Sequence, residues 1–205
     1  MQHALQFAES PVPQRLPFAD YALPAREWNG IVLVGEAPGA EEARLGKPFV
    51  GRSGQLLDKI LERAEINRTA CLVANVFRYQ PPGNKVDHFF ISRRAAQTRN
   101  IPIAEKFGKF GSTFCRTDFA REIEHLAATL AAQRPKIVIA LGRTPMWALT
   151  GENGLLDKVG NPLPCRLFPS VKVIPTFHPS FILRGNWSLQ DQWLAHFQQA
   201  LEYAI

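Results

Sequence analysis

Residues 31–66 read IVLVGEAPGAEEARLGKPFVGRSGQLLDKILERAEI, and their order decides the fold. The β-branched run IVLV stops abruptly at Gly35, a glycine-rich loop follows, and a helical pattern covers 53–66. Strand, glycine loop and helix together make half of a βαβ unit. Such loops normally hold phosphate on the free N–H groups of the helix start. This one carries Glu36, Glu41 and Glu42, which would repel it. The acids need another purpose.

The same grammar recurs at CLVANVF (71–77), KIVIALG (136–142) and VKVIPTF (171–177), each ending in Gly, Pro or polar residues. Continuous β-branched runs suit strands covered on both faces, as in a parallel sheet. Helical patterns lie at 117–133, 143–151 and 187–204. In the first, Ile123, Leu126 and Leu130 share a face, and Pro135 stops the helix. The expectation is an α/β chain: a three-layer α/β/α sandwich with a central four-stranded, mostly parallel sheet, in a single domain over 1–205. Within it, 1–28 holds four prolines and reads as an N-terminal arm with room for one short helix. Residues 86–116 form a basic, aromatic insert.

With 205 residues, 46% hydrophobic and 20% charged, the chain has material for a full core without disulfides or metals. No run approaches the roughly 18 apolar residues of a membrane span. The N-terminus shows no basic start followed by an apolar core. A cytoplasmic monomer that avoids membranes is expected. The net charge of +6 suits a polyanionic partner. Cys71, Cys115 and Cys165 form no C-x-x-C pair, which disfavours a zinc or thioredoxin-like site.

In folds of this class the ligand sits outside the carboxyl ends of the strands. There the four runs place Gly35-Glu36-Ala37-Pro38-Gly39, then Asn75 followed by RYQPPGNK with Asn84, then LGRTP, then FHPSFILRG with His178. Each residue has a plain alternative: Asn84 as a turn former, His178 as a turn cap, Phe49 as core, Glu36 as a solvated acid. Together they fit a nucleobase. Asparagine offers a donor and an acceptor side by side. Phe49 offers a stacking face. A neutral His178 can donate to an oxygen that is gaining charge, aided by loop N–H groups. A base that leaves as an anion leaves a cationic sugar, and a carboxylate would steady that sugar and orient water. The acids then have a purpose.

The motifs GEAPGAEEARLGKPFVGRSGQLL, ANVFRYQPPGNK, ALGRTP and FHPSFILRG, in this order, resemble those of uracil-DNA glycosylases, closest to the family 4 branch. The resemblance implies a three-layer sandwich, base flipping, and monofunctional hydrolysis of the N-glycosidic bond of uracil, leaving an abasic site in base excision repair. It implies catalytic roles for Glu36, Asn84, His178 and Glu42. Uracil would be bound by Phe49, Asn75, His178, Gly35 and Ala37. DNA would be met by Ser180, Phe181, Ile182, Leu183 and Arg184, with Arg52, Ser53, Arg143, Arg93 and Arg94. The implied partners are uracil-containing DNA and its abasic product.

The chain departs from the pattern in three places. Ala37 stands where the best-known branch has an aspartate. Gly39 stands where that branch excludes thymine with a tyrosine. Tyr79 replaces the cysteine that precedes the PP pair in family 4, whose members typically carry an iron–sulfur cluster. Three cysteines cannot rebuild a four-cysteine site, so neither a cluster nor any other cofactor or metal is expected.

The insert 86–116 mixes basic residues with five phenylalanines. It either lines a DNA channel or packs in the cluster's place with its charges in water. Ala37 also leaves room for a second class of function, a uracil- or abasic-site binder with poor turnover. A mononucleotide-binding Rossmann-like enzyme fits less well, since G-x-G-x-x-G and G-K-[ST] are both missing. Covalent capture, which in this superfamily uses an extra histidine-bearing loop after the first motif, is not expected.

Overall fold

A computed structural model describes residues 16–205. The predicted strands form as β1 (Ile31–Gly35), β2 (Leu72–Asn75), β6 (Ile137–Leu141) and β8 (Lys172–Thr176), separated in the chain by the elements given below. All four are parallel, in the order β2-β1-β6-β8. The sheet has five strands rather than the expected four. The fifth is β7 (Leu163–Pro164), antiparallel to β8 at the edge. Two residues, one of them proline, carry no alternation to read, and an edge position tolerates the missing N–H.

Side chains of β1 alternate between two cores. Val32 and Val34 face α4 (Thr117–Gln133) and α5 (Arg143–Thr150), through Ile123, Leu126, Leu130 and Trp147. Ile31 and Leu33 face α2 (Arg52–Arg63) and α7 (Gln190–Ala204), through Leu57, Leu61, Trp193 and Phe197. The sheet is covered on both faces, which is why its strands read as unbroken apolar runs. Helix α4 coincides with the predicted 117–133. Helix α7 starts three residues late, after a 3-10 turn at Trp187–Leu189.

The described part of the arm runs along the free edge of β2. Ala22 and Val73 exchange backbone hydrogen bonds, each of 2.9 Å, and Phe18 bridges to Tyr79. This covers an edge that could otherwise pair with another chain. No helix forms in 16–28, and the rest of the arm lies outside the described residues.

The insert folds into β3 (Phe90–Ile91), α3 (Arg93–Arg99), β4 (Lys109–Phe110) and β5 (Thr113–Cys115), with an antiparallel sheet of order β3-β5-β4. Its phenylalanines, Phe89, Phe90, Phe107, Phe110 and Phe114, are at most 8% exposed. Phe89, Phe90, Phe107 and Phe110 extend the α4/α5 core. Two short helices had no sequence signal long enough to read: α1 (Ala40–Leu45) and α6 (Pro179–Leu183). Among the described residues, no helix is long and apolar enough to cross a membrane.

Candidate active site

Strand order reverses between β1 and β6, and a crevice opens at the carboxyl ends of these two strands. Gly35 closes β1 and pairs with Asn75 on β2. A Cβ on Gly35 would collide with the Phe49 ring and with Asn75 Oδ1, so only glycine lets the three meet. Phe49 has φ of 53°, an uncommon conformation for a bulky residue. Its surroundings hold it there. Arg68 donates to Phe49 O at 2.8 Å and to Pro48 O at 3.1 Å. Gly54 has no side chain to push against the Phe49 carbonyl. The result is a tight cluster of an aromatic ring and an amide, both almost fully buried.

Next to this cluster lies a cleft of about 770 Å³. Its walls include Glu36, Arg143, His178, Ser180, Phe181 and Arg184 from the strand ends. Asp87, Phe110, Gly111, Ser112 and Thr113 come from the insert, and residues 153–156 from the loop after α5. The ring of His178, on the cleft wall, lies 5.9 Å from that of Phe49.

Glu36 is half-buried, and the Thr144 hydroxyl donates to its Oε2 at 2.5 Å. Burial pushes its carboxyl above the ordinary carboxylate range. The Thr144 bond and Arg143 pull it back, Asp87 pushes it up again, and Arg184 lowers it slightly.

His178 caps α6. Its Nδ1 accepts from Ser180 N–H at 3.1 Å and lies 2.8 Å from Ser180 Oγ. A ring nitrogen that accepts a backbone N–H carries no proton, so neutral His178 bears its proton on Nε2. Burial, helped by the Arg184 charge, pushes its pKa down to about 4. His178 is therefore a neutral Nε2–H donor at physiological pH.

The expected residues divide into groups. Glu36, His178, Arg143, Ser180, Phe181 and Arg184 share the cleft, while Gly35, Phe49 and Asn75 pack against one another outside its lining. Ala37 packs half-buried on the core. Glu42 sits apart from the cleft lining. Its Oε1 accepts from Val50 N and Gly51 N at 3.0 and 2.8 Å, and its Oε2 from Gly39 N at 3.2 Å. It ties the two ends of the glycine loop together, and its oxygens are occupied.

Asn84 is exposed, with φ of 56°, accepts from Gln80 at 2.9 Å, and is not part of the cleft wall. Ile182, expected at the DNA, is fully buried beneath α2 and α7, because α6 turns that face inward. Leu183 is half-buried. Arg52 and Ser53 open α2. Arg93 and Arg94 lie on α3, with Arg93 paired to Glu105 at 2.6 Å. Thr144, Asp87 and Arg68 were not read from the sequence. Thr144 within LGRTP was the only one inside a quoted strand-end motif.

A family model described as the Uracil DNA glycosylase superfamily matches residues 28–203. The chain belongs to that superfamily. The type-4 uracil-DNA glycosylase of Thermotoga maritima is 34% identical over 76% of this chain and 67% of its own length. That of Pyrobaculum aerophilum is 29% identical over 76% of this chain and 68% of its own. That of Archaeoglobus fulgidus is 28% identical over 82% and 74%. The chain is thus a DNA glycosylase, an enzyme of the hydrolase class.

For a uracil-DNA glycosylase of the family 4 kind, an iron–sulfur cluster is implied, and the residues present do not fit one. The chain has three cysteines. Cys71 lies in the core on one face of the sheet, and Cys115 and Cys165 in the core on the other. Burial pushes the Cys71 and Cys115 thiols up to about 11 and 12, and raises that of Cys165. Tyr79, at the expected cysteine position, packs edge-to-face on Phe18 at 5.4 Å. Beside it Arg78 forms a forked pair with buried Glu122, at 2.9 and 3.2 Å. Among the described residues, no group of three or more His, Cys, Asp or Glu side chains could hold a metal ion.

Proposed function

We propose that this uracil-DNA glycosylase hydrolyses the N-glycosidic bond of a uracil flipped out of DNA, leaves an abasic site for base excision repair, and does so as a cytoplasmic monomer without a cluster. The observation that carries the proposal is His178, a neutral Nε2–H donor on the cleft wall beside the packed Gly35–Phe49–Asn75 cluster. The type-4 glycosylase names of the relatives support the substrate.

In this mechanism uracil stacks on Phe49, and Asn75 reads its edge. As the C1′–N1 bond stretches, its electron pair moves into the ring toward O2. His178 Nε2–H meets the growing charge with a bond that strengthens in the transition state. A neutral donor suits this step, because an imidazolium would already bind the ground state tightly. Glu36, fixed by Thr144, faces the sugar as it turns cationic. Water adds to C1′, a proton is lost to solvent, and the uracil anion is protonated. No lyase step is needed.

The test is release of free uracil from a uracil oligonucleotide with no metal or nucleotide added, with matching abasic DNA as competitor. A fast first cycle followed by stalled later cycles means tight product binding. The absence of a first cycle would replace catalysis by simple uracil or abasic-site binding. Iron and sulfide analysis of the purified protein tests the cluster-free assignment.

A further inference from the structure

The geometry points to Asp87 as a second carboxylate of the reaction, the one that takes a proton from the attacking water; this rests on the glycosylase mechanism above. Position 37, two residues past Gly35, holds a methyl group packed on the core and supplies no acid. Asp87 approaches the same space from another part of the chain.

Asp87 lies on a 3-10 turn, Val86–Phe89, directly after the PPGNK segment. Val86 and Phe89 are buried in the α4/α5 core, so the turn is anchored on both sides of Asp87 and presents it to solvent. It lines the cleft together with Glu36 and His178. Its carboxylate forms no ion pair with any described residue, so it has no evident structural task.

An acid here carries a cost. The cleft must admit DNA phosphates, which Asp87 repels, and it also repels Glu36. Two acids at the mouth of a DNA-binding cleft are favourable only if the group they meet turns positive, and the sugar does so during C1′–N1 cleavage.

Their surroundings divide the work. Glu36 is half-buried, with one oxygen committed to Thr144, and acts as a fixed charge below the sugar. Asp87 is exposed and untied, so bulk water reaches it. In the step itself, C1′–N1 breaks with its electron pair leaving on uracil, and the water oxygen bonds to C1′. One water proton passes to the Asp87 carboxylate and then to solvent, and the uracil anion takes a proton from solvent. Charge and atoms balance without a co-reactant.

The test is Asp87→Asn in single-turnover assays, with enzyme in excess over a single-stranded uracil oligonucleotide, and with affinity for abasic DNA measured in parallel. The chemical rate should fall about a hundredfold, in the range of lost general-base catalysis. Affinity should stay the same or rise, since a repelling charge is gone. Asp87→Glu should recover part of the rate. A rate for Asp87→Asn within about twofold of the parent enzyme overturns the assignment. So does a loss of rate that only follows a lowered melting temperature. If the parent enzyme releases no uracil, the glycosylase mechanism itself falls and takes this role with it.

Discussion

The Thr144 hydroxyl donates to Glu36 at 2.5 Å, joining the first turn of α5, just past β6, to the end of β1 across the point where strand order reverses. Thr144 is fully buried and Glu36 half-buried, so this bond weighs more than it would in water. It is the main local force keeping the Glu36 carboxyl from rising further, with Arg143 and Arg184 on its side and Asp87 opposing it.

Thr144→Val should therefore move the acid limb of the single-turnover rate profile to higher pH. In the proposed mechanism Glu36 acts when ionised; its carboxyl already sits above the ordinary range, so activity should fade as pH falls through that raised value. Losing a charge-assisted bond should shift the limb upward. Thr144→Ser should restore it. An unmoved limb in Thr144→Val would detach the bond from catalysis.

His178→Ala should lower the chemical step by about 10²–10³, as for loss of an oxyanion-type donor, with little change in DNA affinity. Single-turnover rates at saturating enzyme, set against binding of abasic DNA, check this.

Acid stability should reflect the same histidine. Its folded value is pushed down to about 4 from 6.5, so below 6.5 the unfolded chain binds more protons. The stability it contributes is complete above 6.5 and is lost as pH falls toward about 4. His88, His125 and His196 are shifted in the same direction. Thermal melting followed between these pH values measures the loss.

Gly35→Ala should abolish uracil binding while the chain still folds, because the added methyl forces Phe49 and Asn75 apart. Asn75→Asp should instead relax base choice toward cytosine. Competition by free uracil and cytosine separates the two effects.

Glu122→Ala leaves the Arg78 guanidinium partly buried without its forked partner. The expected loss is about 3 kcal/mol, which lowers the melting temperature by roughly 10 °C. The catalytic rate of the folded protein should not change. Glu122 thus serves the arm and sheet edge beside Tyr79, not the reaction.

Four strands, the main helices and the sandwich class were legible because β-branched runs and helical periodicity are local signals. Gly35, Phe49 and His178 were legible because each belongs to a short motif at a strand end. The insert was ambiguous because phenylalanine suits either a core or a stacking surface, and only the structure shows that its five phenylalanines are buried, with Phe110 also on the cleft wall. Glu42 and Asn84 looked equivalent to Glu36 as polar residues near strand ends. The chain path separates them, turning Glu42 onto three backbone N–H groups and Asn84 toward Gln80.

The sequence by itself determined the layers, the strand ends and the residues competent to hold a base. Tertiary structure alone decided which acids line the cleft, and which ring nitrogen of His178 carries its proton. Thr144 meets Glu36 across 108 residues, and Asp87 enters from an insert that has no periodic signal. Contacts of that range depend on how the elements stack, and no local pattern of side chains encodes them.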